Sequence, residues 1–235
     1  RGLLHYTFGE YRSALRDFNS AIEAFEAKHS SQPDNDSPIP LYYHRALTYQ
    51  HLGNLNLAVD DLSSVLEMKT IPYVLRLRAQ IYFGLYMYDK AIGDILEARR
   101  LSGLQTSDHE ILGNCYKSLG EHGKALEEYQ ALVQTLSNDV DPCAKALAYM
   151  RLGALLVIVG RREEAYNSAL QAREIAPEGS PEYEYAEMML ICLTPVPTVP
   201  VQDAEYRQNE VVDHSLEGLG IADLTNDANL EIIPE

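Results

Sequence analysis

Five alanines constrain this chain more than any other feature. Ala14, Ala58, Ala91, Ala125 and Ala165 each stand five residues after a turn residue, usually Gly. The stretches are "GEYRSALRDFNSA" (9–21), "GNLNLAVDDLSSV" (53–65), "YMYDKAIGDILEA" (86–98), "GEHGKALEEYQAL" (120–132) and "GRREEAYNSALQA" (160–172). Four residues after each alanine comes a larger or aromatic residue in most copies, and three later again a small or apolar one. This is one face of an amphipathic helix. The alanines are separated by 44, 33, 34 and 40 residues. The two values near 34 set a period, and the longer two contain inserted stretches, "KHSSQPDNDSPIP" (28–40) and "SNDVDPC" (137–143).

Upstream of each turn lies a second amphipathic run: "LYYHRALTYQHLG", "VLRLRAQIYFG", "EILGNCYKSLG" and "AYMRLGALLVIVG". In each, a small residue (Ala46, Ala79, Gly113, Gly153) precedes a larger one by three (Tyr49, Tyr82, Tyr116, Leu156). Small residues facing each other across a turn let two antiparallel helices approach closely, while residues one turn away fill the remaining space. The pattern predicts an all-α chain of helix, short turn, helix units. After Pro177, "GSPEYEYAEMMLICL" reads as one more helix, with Ser180 as N-cap and Pro181 at its first position. Open arrays need such a helix to cover the last apolar face.

These residues together resemble the tetratricopeptide repeat family, whose unit of about thirty-four residues has this small, Tyr, Gly, Ala, aromatic, Ala, Pro order. The resemblance covers roughly residues 1–179 and is fullest in the fifth copy, with Leu152, Gly153, Gly160, Ala165, Ala172 and Pro177. The first copy lacks most of its first helix, the third has Tyr86 at the turn, and the fourth has Leu132 where Ala is usual. The expected domain plan is an array at 1–193, with repeats at about 1–27 (partial), 39–71, 72–103, 106–139 and 146–179 and a capping helix at 180–193. A Pro-rich linker and acidic tail follow at 194–235. The resemblance implies a right-handed superhelical solenoid whose first helices line a concave groove. Carrying over the family's exposed first-helix positions gives Tyr43, His44, Gln50 and His51, then Tyr73, Arg76, Gln80 and Phe83. The fourth copy adds Glu110, Asn114 and Lys117, and the fifth Met150, Arg151, Ala154 and Ile158. Such a surface would suit an extended peptide or helix of another protein carrying apolar and acidic groups. The two-carboxylate clamp of the family's co-chaperones is not reproduced. Its best register offers Arg76 and Gln80, Ile111, then Leu147 and Arg151, without the middle amide.

The formal charge of −16 argues against nucleic acid or an anionic membrane surface as the main partner, since both need clustered Lys and Arg. From Thr194 onward nine acidic residues face Arg207 alone. Three widely spaced cysteines (Cys115, Cys143, Cys192) make neither a disulfide framework nor a zinc site and favour a reducing, cytoplasmic compartment. The chain begins at Arg1 without a signal-like segment and reads as an excerpt or processed product. No apolar run is long enough to span a bilayer; the nearest is "LGALLVIVG" (152–160).

No catalytic constellation, cofactor fingerprint or metal-ligand spacing emerges. His44 and His51 lie two helical turns, about 10 Å, apart, too far to share one ion directly. "GEHGKAL" lacks the first Gly and the Ser or Thr of a phosphate loop. Cys115 reads as a packed thiol. The leading reading is therefore a non-enzymatic interaction scaffold. Two others stay open: a regulatory or substrate-selecting segment of a larger enzyme, and a self-associating module whose tail (203–235) occupies the groove. The linker "TPVPTVPVQ" (194–202) favours an extended, stiff conformation, and the tail carries apolar clusters such as Val211, Val212 and Leu216 among its acids.

Overall fold

The computed structural model describes residues 1–29, 37–136 and 140–194. Among them are eleven helices and no strand. The chain divides into two compact units, Arg1–Gly120 and Glu121–Glu235. The predicted tail and most of the linker, from residue 195 on, lie outside the described residues.

The first unit contains α1 (Gly2–Thr7), α2 (Tyr11–His29), α3 (Ile39–His51), α4 (Leu55–Met68), α5 (Pro72–Gly84), α6 (Tyr88–Ser102) and α7 (Thr106–Ser118). Consecutive helices pack in pairs, and the predicted small residues form the seams. Ala14, Ala46, Ala58, Ala79 and Ala91 are all fully buried. Gly2 occupies the same place in the short α1, where a Cβ would come within 3.0 Å of the Phe18 ring. Leu62, Val65, Val74 and Ile81 then fill the space between α3, α4 and α5. Ile95, Leu112 and Cys115 do the same for α5, α6 and α7. Burial pushes the Cys115 thiol up to about 12, with the charge of Asp89 adding to the effect, so it stays protonated and inert.

The turns close by one repeated device. At Gly53 the chain passes through φ +76°, Gly53 N–H bonds to Gln50 O at 3.0 Å, and Asn54 N–H bonds to Tyr49 O at 2.8 Å. Tyr86, the exception in the sequence pattern, adopts φ 60° and makes the same pair of bonds, to Phe83 O at 3.0 Å and, through Met87 N–H, to Tyr82 O at 2.9 Å. Tertiary packing thus holds a tyrosine in a left-handed conformation that glycine would adopt at lower cost.

A set of ion pairs, not anticipated from the sequence, recurs with the repeat. The residue before the first-helix small residue is Arg1, Arg45 or Arg78, and sixteen residues later stands Asp17, Asp61 or Asp94. Arg45 Nε and Nη2 donate to both oxygens of Asp61 at 2.7 and 2.6 Å, and Nη1 donates to Asn19 of the preceding repeat at 3.0 Å. Arg78 repeats this on Asp94, with both distances 2.8 Å, and reaches Ser63 of the preceding repeat at 2.9 Å. Asn19 and Ser63 hold the same position in their units, five residues after the alanine. Each guanidinium also lies near tyrosine rings: Arg45 is 5.3 Å from the Tyr42 centroid, and Arg78 5.5 Å from that of Tyr82. The Arg1–Asp17 pair, at 3.6 Å with Arg1 largely exposed, is a looser version.

The second unit contains α8 (His122–Thr135), α9 (Pro142–Ile158), α10 (Arg162–Ile175) and α11 (Pro181–Leu193). Ala125, Ala165, Ala169 and Ala172 are fully buried. A Cβ on Gly153 would meet the end of Met189 at 3.1 Å. Asp141 caps α9 by accepting from Ala144 N–H, and Ser180 caps α11 by accepting from Tyr183 N–H. Here Leu152 and Ser168 replace the Arg and Asp of the first unit, and the Ser168 hydroxyl bonds back to Glu164 O at 3.0 Å.

Removing one partner of a nearly buried ion pair strands the other charge. Asp61→Ala is therefore expected to lower unfolding free energy by roughly 3 kcal/mol. The double change Arg45→Met with Asp61→Leu should recover most of that loss, as measured by urea midpoints at constant slope.

Candidate functional site

The first-helix positions of the first unit form a face dominated by aromatic rings. On α3, the repeat register puts Tyr43 three residues before the buried Ala46. On α5, Pro72 starts the helix and Tyr73 follows it, 54% exposed. The two rings meet edge to face, with centroids 5.4 Å apart at 88°. Tyr43 also contacts His44 at 5.4 Å, and His44 lies parallel to Phe18 at 6.1 Å. At the other end of α3, His51 stacks on Tyr11 at 4.4 Å and 5°. Its Nε2 lies 2.9 Å from the Tyr6 hydroxyl. Phe83, at the end of α5, packs against Tyr88 at 5.7 Å.

Tyr6 and Tyr11 were not among the sequence candidates, although a signal for Tyr6 existed. It stands four residues after Gly2, as Gln50 stands after Ala46 and Phe83 after Ala79. Burial, and then the neighbouring Tyr11 and Tyr43, raise the Tyr6 hydroxyl above its ordinary value; burial, and then Tyr73, raise Tyr43. Both hydroxyls therefore remain protonated donors at neutral pH.

Two polar side chains on α3 are incompletely satisfied. His44 Nδ1 and Gln50 Oε1 are buried without a hydrogen-bond partner. Burial also lowers the His44 pKa, so the ring is neutral at neutral pH. His44 further lines a cavity of about 430 Å³ between α1, α2 and α3, walled by Gly2, Leu3, Phe18, Ala21 and Leu41 among others.

Other candidates are placed differently from the expectation of an exposed groove. Arg76 is buried: Nε and Nη2 donate to Asp108 at 2.6 and 2.8 Å, Nη1 to Ser102 at 2.9 Å, and Nη2 also to Gly103 O at 2.9 Å. Asp108 in turn accepts from Gln105 N–H at 2.9 Å and sits at the start of α7. The carboxylate that Arg76 grips is thus a residue of its own fold, and the side chain ties α5 to the α6–α7 connection. Gln80, Glu110, Asn114 and Lys117 are half-buried on α5 and α7. In the second unit Met150 is 2% exposed and belongs to the core with Ala146, Ala172 and Ala186. Ala154 is likewise buried, Arg151 half-buried and Ile158 exposed.

Among the described residues no group of three or more His, Cys, Asp or Glu side chains is arranged to hold a metal ion, and no helix is long and apolar enough to cross a membrane.

The family model for the tetratricopeptide repeat matches residues 39–70, the α3–α4 pair. A crystal structure of MamA is 23% identical with a TM-score of 0.62, over 74% of this chain and 93% of that one. YrrB, described as a TPR protein with an unusual peptide-binding site, is 19% identical with a TM-score of 0.61, over 81% and 87%. TTC0263, a thermophilic TPR protein in Thermus thermophilus, is 21% identical with a TM-score of 0.54, over 81% and 95%. At these identities the likeness is one of fold. No curated protein matches the chain.

Because folded His44 takes up a proton less readily than unfolded His44, its contribution to stability is present above pH 6.5, histidine's ordinary value, and is lost as pH falls below it. His44→Phe, which keeps a ring against Phe18, is expected to show a shallower fall in urea midpoint between about pH 7 and pH 5 than the parent chain.

Proposed function

We propose that this chain, whose fold is that of tetratricopeptide repeat proteins and whose α3–α4 pair matches their family model, is a non-enzymatic interaction scaffold that holds an extended segment of a protein on the tyrosine face of its first unit. The observation that carries this reading is the pair of aromatic clusters that α3 carries at its two ends: Tyr11, His51 and Tyr6 at one, and Tyr43, with Tyr73 of α5, at the other. Large rings carry much of the energy at protein interfaces because they bury much area while losing little side-chain freedom. Tyrosine hydroxyls add hydrogen-bond donors at the edge of an apolar surface.

Burial of Arg76 changes the ligand chemistry expected of this face. Its charge is neutralised by Asp108, so selection for acidic side chains at this position is not part of the proposal. Gln80 and Phe83 extend the neutral surface along α5, and Glu110, Asn114 and Lys117 supply polar groups on α7.

The test is affinity capture with the full chain and with the double variant Tyr43→Ala/Tyr73→Ala. Partner recovery should drop by roughly tenfold or more, as for truncated interface anchors, while helical circular dichroism is retained. An unchanged set of captured proteins at unchanged yield would refute the assignment of this face.

A further inference from the structure

We infer that the turn between α5 and α6 is a second docking point, at which the rings of Tyr86 and Tyr88 take an arginine side chain from a basic segment of a partner protein.

The first ground is a residue that the turn itself does not call for. Four turns between paired helices pass through the left-handed region at a glycine: Gly9, Gly53, Gly120 and Gly160, with φ between 74° and 78°. The turn between α5 and α6 does so at Tyr86, with φ 60°. A Cβ raises the cost of that conformation, so glycine would be the cheaper choice. The tyrosine adds no turn contact, since its two backbone bonds repeat those at Gly53 and Asn54. Its ring does not fill the core either, being 67% exposed. Residues held in costly backbone conformations cluster where side chains act on a ligand.

The second ground is the set of rings around it. Tyr86 meets Tyr88 at right angles, with centroids 6.3 Å apart, and Phe83 lies 5.7 Å from Tyr88. The negative face of an aromatic ring attracts a cation, most often a guanidinium. The first unit uses this contact internally: Arg45 lies over Tyr42 and Tyr49, and Arg78 and Lys90 over Tyr82. Among the described residues no cation of the chain lies over Tyr86 or Tyr88. Lys90, only two residues after Tyr88, is turned to Tyr82 instead, 5.4 Å from its centroid. The two rings at the turn therefore keep the capacity for a cation from outside.

The third ground is charge. Asp89, next to Tyr88, is exposed and joins no ion pair among the described residues, so it adds a negative charge at the same turn. The formal charge of −16 draws a basic segment towards the chain as a whole.

The experiment titrates the chain, with ¹³C-labelled tyrosines, with the synthetic peptide GRGRGRG blocked at both ends, and with the same peptide carrying citrulline in place of arginine. The arginine peptide should shift the Tyr86 and Tyr88 ring signals saturably, and less tightly as salt is raised. The citrulline peptide should leave them in place. Tyr86→Gly, which gives this turn the residue of the other four, should keep or raise the urea midpoint while weakening the arginine peptide by roughly two- to fivefold. Asp89→Asn should also weaken the peptide and reduce its dependence on salt. Absence of a saturable shift at Tyr86 and Tyr88 would overturn the inference, as would equal shifts with citrulline or undiminished binding by Tyr86→Gly. A lower urea midpoint in Tyr86→Gly would overturn it as well, because the tyrosine would then serve the stability of the turn.

Discussion

The first unit depends on an arginine that is asked to do three things at once. Arg45 and Arg78 each grip an aspartate of their own repeat with two hydrogen bonds and the preceding repeat with a third. Desolvating both charges costs energy, so such a pair gives little net stability compared with a well-packed apolar substitute. Its contribution is better understood as register. A planar guanidinium with fixed donors accepts few alternative arrangements, and here it spans three helices. The alanine seams let helices approach, whereas the arginines fix where one pair sits against the next. The second unit does without this device: Leu152 and Ser168 occupy the corresponding positions and are buried without an ion pair between them.

From that register follows the alignment of the aromatic face. Tyr43 and Tyr73 lie thirty residues apart in sequence, and their ring centroids come within 5.4 Å where α3 and α5 share one core cluster with α4. Arg78 is the link between their repeats, since it bridges Ser63 on α4 to Asp94 on α6 from its place on α5. The same principle places Arg76, two residues earlier on the same helix, against Asp108. One helix thus carries two arginines engaged in holding repeats together and one tyrosine left exposed for contact. Stability and binding are divided among neighbouring positions on α5.

The seam residues were legible because packing against a partner helix leaves a periodic mark: a small side chain at the same place in every unit. Ala14, Ala46, Ala58 and Ala79 needed no neighbour to be recognised. Side chains whose role depends on a second repeat were harder to read. Arg76 sits at a position that the family usually exposes, and only Asp108, thirty-two residues later, turns it inward. Met150 was misplaced for a similar reason, since its surroundings of Ala146, Ala172 and Ala186 leave room for a long apolar side chain to be buried. The Arg–Asp spacing of sixteen was present three times in the sequence, but ordinary charged residues at a helix surface would look the same without the contact. Tyr6 was hidden by the shortness of α1, which removes most of the pattern that identifies a first helix.

The central claim is that the arginine staples fix the register that aligns the tyrosines. It is tested most directly by measuring the ring-to-ring nuclear Overhauser effect between Tyr43 and Tyr73 in the parent chain and in Arg78→Lys. Lysine keeps the charge but cannot hold Asp94 with two parallel bonds while reaching Ser63. The account predicts a strong effect in the parent chain that is weakened or lost in the variant, with helical content preserved. A signal of undiminished strength in Arg78→Lys would contradict the account, and so would its absence from the parent chain.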